Sequence, residues 1–365
     1  MRKENRLIGN DIIKYDMGSL YDPAKILFLD IETTGLSATN SYIYMIGMIY
    51  MLNDNWHFES IMAENASEEN ALLVEFTSFA KNYDFLIHFN GNTFDLPFIV
   101  NRCKANGIDF TFDGFNGIDL YKRISPYKHL LGLSNCKQKT IEILLGVGRE
   151  DEYSGGELIH VYREYSQSRE QKLYDLLFTH NHEDLLGMLK ILPMLCYCTL
   201  FDAPVTVDSV KLNTYNDVFD AVKKELLIEF KTDGPIPAPI STSSEGCFLS
   251  LKGDRGVLKV PVYHEELKYF FENYKDYYYL PEEDMAVHKS VSIFVDKEFR
   301  QQAKASTCYV RKESDYLPEW DYIFTPFFKR EYDSKEIFFE LNEEIKSDRD
   351  AFSRYVLHIL SRMTR

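Results

Sequence analysis

The sequence predicts an α/β protein, with a mixed β-sheet flanked by helices in residues 1–200 and a smaller α+β domain in residues 201–365. Three observations lead to this prediction. Strand-like apolar runs precede the first helical pattern, helices dominate from residue 137 to residue 194, and short strands and turns follow residue 199. A chain of 365 residues also exceeds one ordinary core.

The first half alternates strand and helix patterns. Residues 25–30 (KILFLD) form a short apolar run typical of a central strand. Residues 41–52 and 56–63 are strand-like and separated by an Asn-Asp-Asn turn, so we expect them to be antiparallel neighbours of that strand. Further along, the pattern predicts a strand over residues 84–89 and helices over residues 67–83, 94–106, 137–145, 157–165 and 168–194.

The second half has shorter elements. Its patterns predict helices over residues 213–225, 265–274 and 352–363, strands over 226–231 and 291–295, a loop or irregular edge strand over 234–244, and a hairpin of 246–251 with 256–262. Basic and aromatic residues alternate in 309–312 and 327–330. For these segments we favour ordinary strands with one wet face over a single-strand binding groove.

Composition narrows the function classes. The hydrophobic share of 45% and the charged share of 27% are typical of a globular protein, and no apolar run is long enough to span a membrane, so we expect a cytoplasmic protein. The net charge of −16 disfavours tight coating of duplex DNA. Bound divalent cations would reverse the local field at a phosphate site, so a short single-stranded end remains an acceptable partner. The six cysteines lack zinc-finger spacing.

Paired acids end the first predicted strand, in the run FLDIETTGL. Asp30 and Glu32 are two residues apart, and in a strand such residues point to the same face. Taken without its flanking residues, the D-x-E pattern is explained sufficiently by two acids at a solvent-exposed end of a strand. An apolar strand that ends in two acids on one face, followed by Thr-Thr-Gly, favours a functional site instead.

Two further acids stand at helices. Asp95, in HFNGNTFDLP, begins a helix, where it would complement the helix dipole even without another role. Asp184 lies four residues after His180 in THNHEDLLGM, so the two share a helix face, whereas His182 should point elsewhere. For His180 alone, a hydrogen-bonded core histidine and a catalytic histidine are equally acceptable interpretations.

The segments DIETTG, NGNTFDLP and HNHED, in this order, resemble the three motifs of the DEDD (DnaQ-type) 3′–5′ exonuclease superfamily, which has a ribonuclease H-like fold. The resemblance covers about residues 25–195 and is strongest to bacterial predicted ribonuclease H-like exonucleases. It implies that Asp30, Glu32, Asp95 and Asp184 hold two Mg²⁺ or Mn²⁺ ions, and that His180 orients or deprotonates the attacking water. The implied substrate is the 3′ end of single-stranded DNA or RNA.

The resemblance also implies substrate contacts for Thr33, Leu36, Asn90 and Phe94, although core packing explains Leu36 and Phe94 equally well. One departure concerns the proposed base. The family places Tyr four residues before the last Asp and His five before it, whereas this chain has His180 at the Tyr spacing. Asp119 is a candidate nearby acid, but we favour a helix cap.

Two other functions remain open. A structure-specific endonuclease can use the same metal core, and an accessible 3′ terminus would be dispensable for it. A nucleic-acid-binding or protein-binding module with a retired site would have lost a metal ligand; all four acids are present, so this alternative ranks last.

Overall fold

The structure is a computed structural model that describes residues 1–151, 153–200 and 202–364. The chain forms two compact units. The first comprises Met1–Thr199 with Ile236–Ala238, and the second comprises Leu200–Pro235 with Pro239–Arg365.

Strands of the first unit form a mixed sheet. They are β1 (Arg2–Ile8), β2 (Ile26–Thr33), β3 (Ile43–Leu52), β4 (Asn55–Met62), β5 (Phe85–His88) and β6 (Asn116–Asp119). Among the described residues the sheet order is β1-β4-β3-β2-β5-β6. Neighbours from β1 to β2 are antiparallel, and β5 and β6 run parallel to β2. The predicted mixed α/β architecture is confirmed, and β1 and β6 are strands that the sequence patterns did not predict.

Helices of the first unit are α1 (Glu69–Ala80), α2 (Asp95–Ala105), α3 (Leu120–Ile124), α4 (Gln138–Leu144), α5 (Gly155–Ser168) and α6 (Gln171–Ile191). A capping box between Ser154 and Glu157 starts α5. The helices predicted around residues 67–83, 94–106, 137–145, 157–165 and 168–194 correspond to α1, α2, α4, α5 and α6.

Strand β2 is buried on both faces, which explains its continuous apolar run. Leu27, Leu29 and Ile31 belong to a core cluster with residues of α1 and α2. Successive side chains alternate between faces, so Asp30 and Glu32 lie on the opposite face, where α6 packs against β2, β3 and β4. This arrangement brings the acids of β2 and the polar positions of α6 to the same side of the sheet.

The second unit is dominated by antiparallel strands. They are β7 (Thr206–Asn216), β8 (Val222–Lys231), β9 (Ile240–Ser244), β10 (Cys247–Lys252), β11 (Arg255–Phe270), β12 (Tyr277–Leu280), β13 (Met285–His288), β14 (Gln301–Gln302), β15 (Tyr309–Glu319), β16 (Phe327–Phe328) and β17 (Ile337–Glu340). In the described part of the chain, one sheet has the order β16-β17-β15-β11-β10-β9, with β8 also paired to β11 and β7 to β8, and β13-β12-β14 form a second sheet. Helices α7 (Glu343–Ser347) and α8 (Arg349–Met363) complete this unit.

Three predictions for the second unit are wrong. Residues 213–225, expected to be helical, contain the end of β7, a turn and the start of β8, and Asp220 in that turn has a positive φ of 57°. Residues 265–274 were also expected to be helical, but residues 265–270 continue β11, which pairs with β15 despite the good helix formers in EELKY. Residues 291–295, expected to be a strand, contain the short 3₁₀ turn Ser292–Phe294. In the first case the two halves of the segment pair with each other as the tip of the β7–β8 hairpin, and in the second case pairing with the distant strand β15 overrides local propensity.

The predicted hairpin is confirmed as β10 and β11, and the C-terminal helix as α8. Of the two alternatives for residues 234–244, a loop or an irregular edge strand, residues 240–244 form the edge strand β9. Residues 309–312 fall on β15, and residues 327–328 of the segment 327–330 form the short strand β16, in agreement with the strand interpretation. Within the described residues, no helix has both the length and the apolar character needed to cross a membrane.

Candidate active site

The four predicted acids come together at the carboxyl end of β2. Asp30 and Glu32 are on β2, Asp95 is the first residue of α2, and Asp184 is in the middle of α6. Asp95 is tied to β2 because its Oδ1 accepts a hydrogen bond of 3.2 Å from the backbone N–H of Ile31. Helix α6 is tied to the same strand because Nδ2 of Asn181 donates to Oδ2 of Asp30 at 2.9 Å. Three separate elements therefore converge on one strand end.

His180 stands between these acids. Its Nε2 lies 3.4 Å from Oε1 of Glu32 and 3.2 Å from Oδ2 of Asp184. Its Nδ1 lies 2.7 Å from Oδ2 of Asp151. The ring is buried, so its polar partners are these carboxylates. The arrangement places His180 within the acidic cluster, which supports the functional interpretation over that of an ordinary core histidine.

Burial and mutual repulsion disfavour ionisation of Asp30, Glu32 and Asp95. Burial, with contributions from neighbouring acids, raises the pKa of Asp30 well above its ordinary value. Burial likewise raises the pKa of Glu32 and of Asp95 to about 7, with Asp184 adding to both. For His180, burial acts downward but the carboxylates of Glu32, Asp184 and Asp151 outweigh it and raise the pKa. A divalent cation would relieve the same repulsion.

The donor set fits a divalent metal ion. One ligand atom each of Glu32, His180 and Asp184 lies within 4.8 Å of the others. Asp30 and Asp95 add carboxylates that interact electrostatically with this group. Oδ1 of Asn181 is buried and has no hydrogen-bond partner among the described residues. Oxygen-rich clusters of this kind are what Mg²⁺ and Mn²⁺ bind in proteins.

Sequence reasoning missed several polar residues around the cluster. Arg149 forms ion pairs with Asp184 and Glu142. Asp151 bonds to His180, and Gln138 donates to the backbone carbonyl of Asp184 at 2.7 Å. Arg149 and Asp151 lie in a connection between helices, where no periodicity points to them.

Asn181 was also missed, but the sequence contained a signal for it. It precedes Asp184 by three residues, and on a helix such residues share a face. Its close approach to β3 occurs at Gly47, where any side-chain carbon would overlap Asn181 and Leu185. His182 points away from the site, as predicted, and stacks on Phe178 with ring centroids 5.7 Å apart.

The predicted substrate residues differ in their surroundings. Asn90, at a positive φ of 60°, lines a cavity of about 460 Å³ that Asp30 and Asp184 also line. Thr33 is buried and its hydroxyl donates to the carbonyl of Gly35 at 2.8 Å. Leu36 is 87% exposed, which excludes core packing for it. Phe94 is partly buried against the core of the sheet, so packing explains this residue.

Asp119 is a helix cap, as favoured from the sequence. Its carboxylate accepts from the backbone N–H of Lys122 at the start of α3. It also accepts from the backbone N–H of Asn90 at 2.9 Å. The cap therefore also fixes the loop that carries Asn90, beside the cavity.

Solved structures similar to this chain include nucleic-acid enzymes. The family B DNA polymerase of Pyrobaculum calidifontis is 14% identical, with 70% of this chain and 35% of that chain covered and a TM-score of 0.39. The zinc-bound complex of E. coli exonuclease I with single-stranded DNA is 13% identical, with coverage of 56% and 54% and a TM-score of 0.30. The matched regions thus span about a third of the polymerase and about half of exonuclease I. No curated protein sequence matches the chain.

A family model described as the RNase H superfamily matches residues 27–196. This range includes β2 from Leu27 onward, β3 to β6, α1 to α6 and every predicted site residue. The sheet order and the position of the acids at the end of β2 agree with the ribonuclease H-like fold expected from the motifs. Residues 27–196 are therefore similar to the RNase H superfamily, and their fold is ribonuclease H-like.

Proposed function

We propose that this protein is a nuclease, and more narrowly a metal-dependent 3′–5′ exonuclease acting on single-stranded nucleic acid ends. The observation that carries the proposal is the convergence of Asp30, Glu32, Asp95 and Asp184 at one strand end. Buried acids that repel one another destabilise a fold unless a cation is bound there. Four acids around one point, of which Glu32 and Asp95 are buried, are the ligand set that two divalent ions require.

Each acid has a defined task in this proposal. Asp30 and Glu32 present two carboxylates from one strand face, and Asp95 and Asp184 complete the cluster from α2 and α6. When bound, a pair of Mg²⁺ or Mn²⁺ ions would activate water and neutralise charge on the attacking and leaving oxygens. The chain itself would hold these ions through the four acids, and the burial of Glu32 and Asp95 keeps bulk water away from their carboxylates.

The cavity beside Asp30 and Asp184 supports a nucleotide substrate. Its lining combines the rings of Phe89 and Tyr121 with the side chains of Asn90 and Lys137. Aromatic faces stack on bases of any sequence, and an ammonium group attracts phosphate. An open cavity of this composition suits an unpaired terminal nucleotide of DNA or RNA.

The test uses a single-stranded oligonucleotide labelled at its 5′ end, incubated with Mn²⁺ and the full chain. We expect progressive shortening from the 3′ end, and its loss in Asp30→Asn, which removes a charge while keeping the acceptor for Asn181. The matched control is Asp113→Asn, an exposed acid elsewhere in the same unit, which should leave the activity unchanged.

Two outcomes contradict the proposal. Degradation that persists in Asp30→Asn would separate the acidic cluster from the activity. Cleavage of a circular single strand at the same rate as a linear one would show that a 3′ terminus is not needed, and would support an endonuclease on the same metal core.

A further inference from the structure

We infer that Tyr44 is a positioning residue of the acidic cluster, and that its hydroxyl donates to the carboxylate of Glu32 when a divalent cation is bound there. The inference rests on the proposed function, because it concerns the same cluster. It adds a phenol donor from β3 to a site whose candidate acids come from β2, α2 and α6.

A β-bulge aims Tyr44 at the cluster. In the pairing of β2 with β3, the partner of Glu32 is Met45. The partner of the next residue of β2 is Ile43, so Tyr44 is the extra residue of a bulge. In a regular strand, alternate residues share a face, so Tyr44 would lie with Ile46 in the core cluster beside α1 and α2. Because of the bulge, Ile43 lies in that cluster instead, and Tyr44 lies on the face that carries Glu32.

The ring of Tyr44 is fixed by its packing. It is fully buried, and it stacks on the ring of Tyr162 in α5 with ring centroids 4.0 Å apart and an interplanar angle of 12°. The hydroxyl of Tyr162 in turn donates to the carbonyl of Ala63 at 2.9 Å, which anchors the stack. A buried ring in a close-packed interior has little room to turn, so the stack also fixes the direction of the Tyr44 hydroxyl.

The hydroxyl of Tyr44 is not explained by this packing. The carboxylate of Glu32 faces it, and Asp30 also interacts with it electrostatically, but no described residue accepts a hydrogen bond from it. A buried hydroxyl without an acceptor costs free energy, and phenylalanine would provide the same stack without that cost. The hydroxyl therefore indicates a partner that the site gains when its ligand binds.

Glu32 is the acceptor that a cation would bring into place. Without a cation, its carboxylate is repelled by the carboxylates of Asp184 and Asp95. A cation removes this repulsion, and a carboxylate has enough lone pairs to bind an ion and accept a hydrogen bond together. Carboxylates that bind metals are commonly held by outer donors in this way.

The test measures Mn²⁺ affinity and metal-free stability of the full chain carrying Tyr44→Phe, which keeps the stack and removes the hydroxyl. Mn²⁺ affinity, measured by calorimetric titration, should fall about 10–100-fold, as is typical when an outer partner of a ligand is lost. The melting temperature of the metal-free variant should equal or exceed that of the parent chain, because an unpaired hydroxyl is removed. A hydroxyl with a purely structural role would give the reverse of both results.

The matched control is Tyr174→Phe. The hydroxyl of Tyr174, on α6, is also buried and without a hydrogen-bond partner among the described residues. Its neighbouring carboxylate is that of Glu4, which lies outside the acidic cluster. Tyr174→Phe should therefore keep the parent affinity for Mn²⁺, and it should not melt below the parent chain.

The outcomes separate this inference from the proposed function. Parent-like Mn²⁺ affinity in Tyr44→Phe, an equal fall in Tyr174→Phe, or a lower metal-free melting temperature of Tyr44→Phe overturns the positioning role. A crystal structure with bound Mn²⁺ in which the hydroxyl lies more than about 3.5 Å from both oxygens of Glu32 overturns the assigned acceptor. If Tyr44→Phe binds Mn²⁺ like the parent while Asp30→Asn abolishes degradation, the inference alone fails; if Mn²⁺ does not bind the parent chain, both fail.

Discussion

Buried acids occur in both units of this protein, and they differ in the groups that surround them. In the first unit, burial raises the pKa of Glu32 and of Asp95 to about 7, and further acids lie beside them. In the second unit, burial also raises the pKa of Glu319, at the end of β15, to about 7. Glu319 is 1% exposed, and its Oε2 accepts from the backbone N–H of Phe324 at 3.2 Å.

The difference teaches that a raised pKa alone does not identify an active site. Glu319 ties down a neighbouring loop, and a protonated carboxyl is sufficient for that task. The cluster around Asp30 instead sets several acids against one another, at a point where His180 and a cavity also meet. Convergence of groups that repel one another is the stronger indication of a ligand.

The largest expected effect comes from comparing neutral variants of Asp95, which lies in the acidic cluster, and of Glu319, which lies outside it. Asp95→Asn should lower Mn²⁺-dependent degradation of a single-stranded oligonucleotide by more than about 100-fold, because loss of a ligand should exceed the 10–100-fold typical of outer partners. Glu319→Gln should leave the rate unchanged. Initial rates at saturating Mn²⁺ measure both, and equal losses in the two variants would remove the distinction between the regions.

A second effect concerns stability and pH at Glu319. Burial raises the pKa of Glu319 from its ordinary value of 4.5 to about 7 in the folded chain, so between these values the folded chain binds more protons than the unfolded chain. Its contribution to the free energy of unfolding therefore falls as pH rises from 4.5 to about 7, and then levels off. Glu319→Gln should remove this pH dependence of the free energy of unfolding. Its stabilisation relative to the parent chain should be largest above pH 7, at about 3 kcal/mol. Urea unfolding of the variant and the parent chain at pH 5 and pH 8 tests this prediction. An equal gain in the free energy of unfolding at both pH values would contradict the raised pKa of Glu319.

Packing against the site gives the third effect. Gly47→Ala places a methyl group against Asn181 and Leu185, and the overlap should cost about 1–3 kcal/mol of stability and displace Asn181 from Asp30. Gly156→Ala, in α5, meets open space and serves as the control. Thermal unfolding measures the melting temperature of both variants. Equal melting temperatures would contradict the overlap expected at Gly47.

The smallest expected effect is at Leu36. This side chain is 87% exposed, so Leu36→Ala should change the free energy of unfolding by less than about 0.5 kcal/mol. If Leu36 contacts the terminal nucleotide, the variant should raise KM while kcat stays near the parent value. Steady-state kinetics with a short oligonucleotide measure this, and an unchanged KM would leave Leu36 outside the site.

The sequence patterns predicted the elements of the first unit more accurately than those of the second. Strand β2 and helix α6 have clear local patterns, an apolar run bounded by a turn signal in the first and a 3.6-residue period in the second. In the second unit, the segment EELKY of β11 contains good helix formers but pairs with β15. No local pattern encodes that partner, so the helix predicted for residues 265–274 was wrong.

The sequence by itself determined which side chains share a local face. The two-residue spacing of Asp30 and Glu32 and the four-residue spacing of His180 and Asp184 fix this through strand and helix geometry alone. Only the tertiary structure decided that these faces meet, because the packing of α6 and α2 on β2 joins segments far apart in the chain. It also brought Asp151 to His180, since a loop residue has no period and its position depends on the elements it connects.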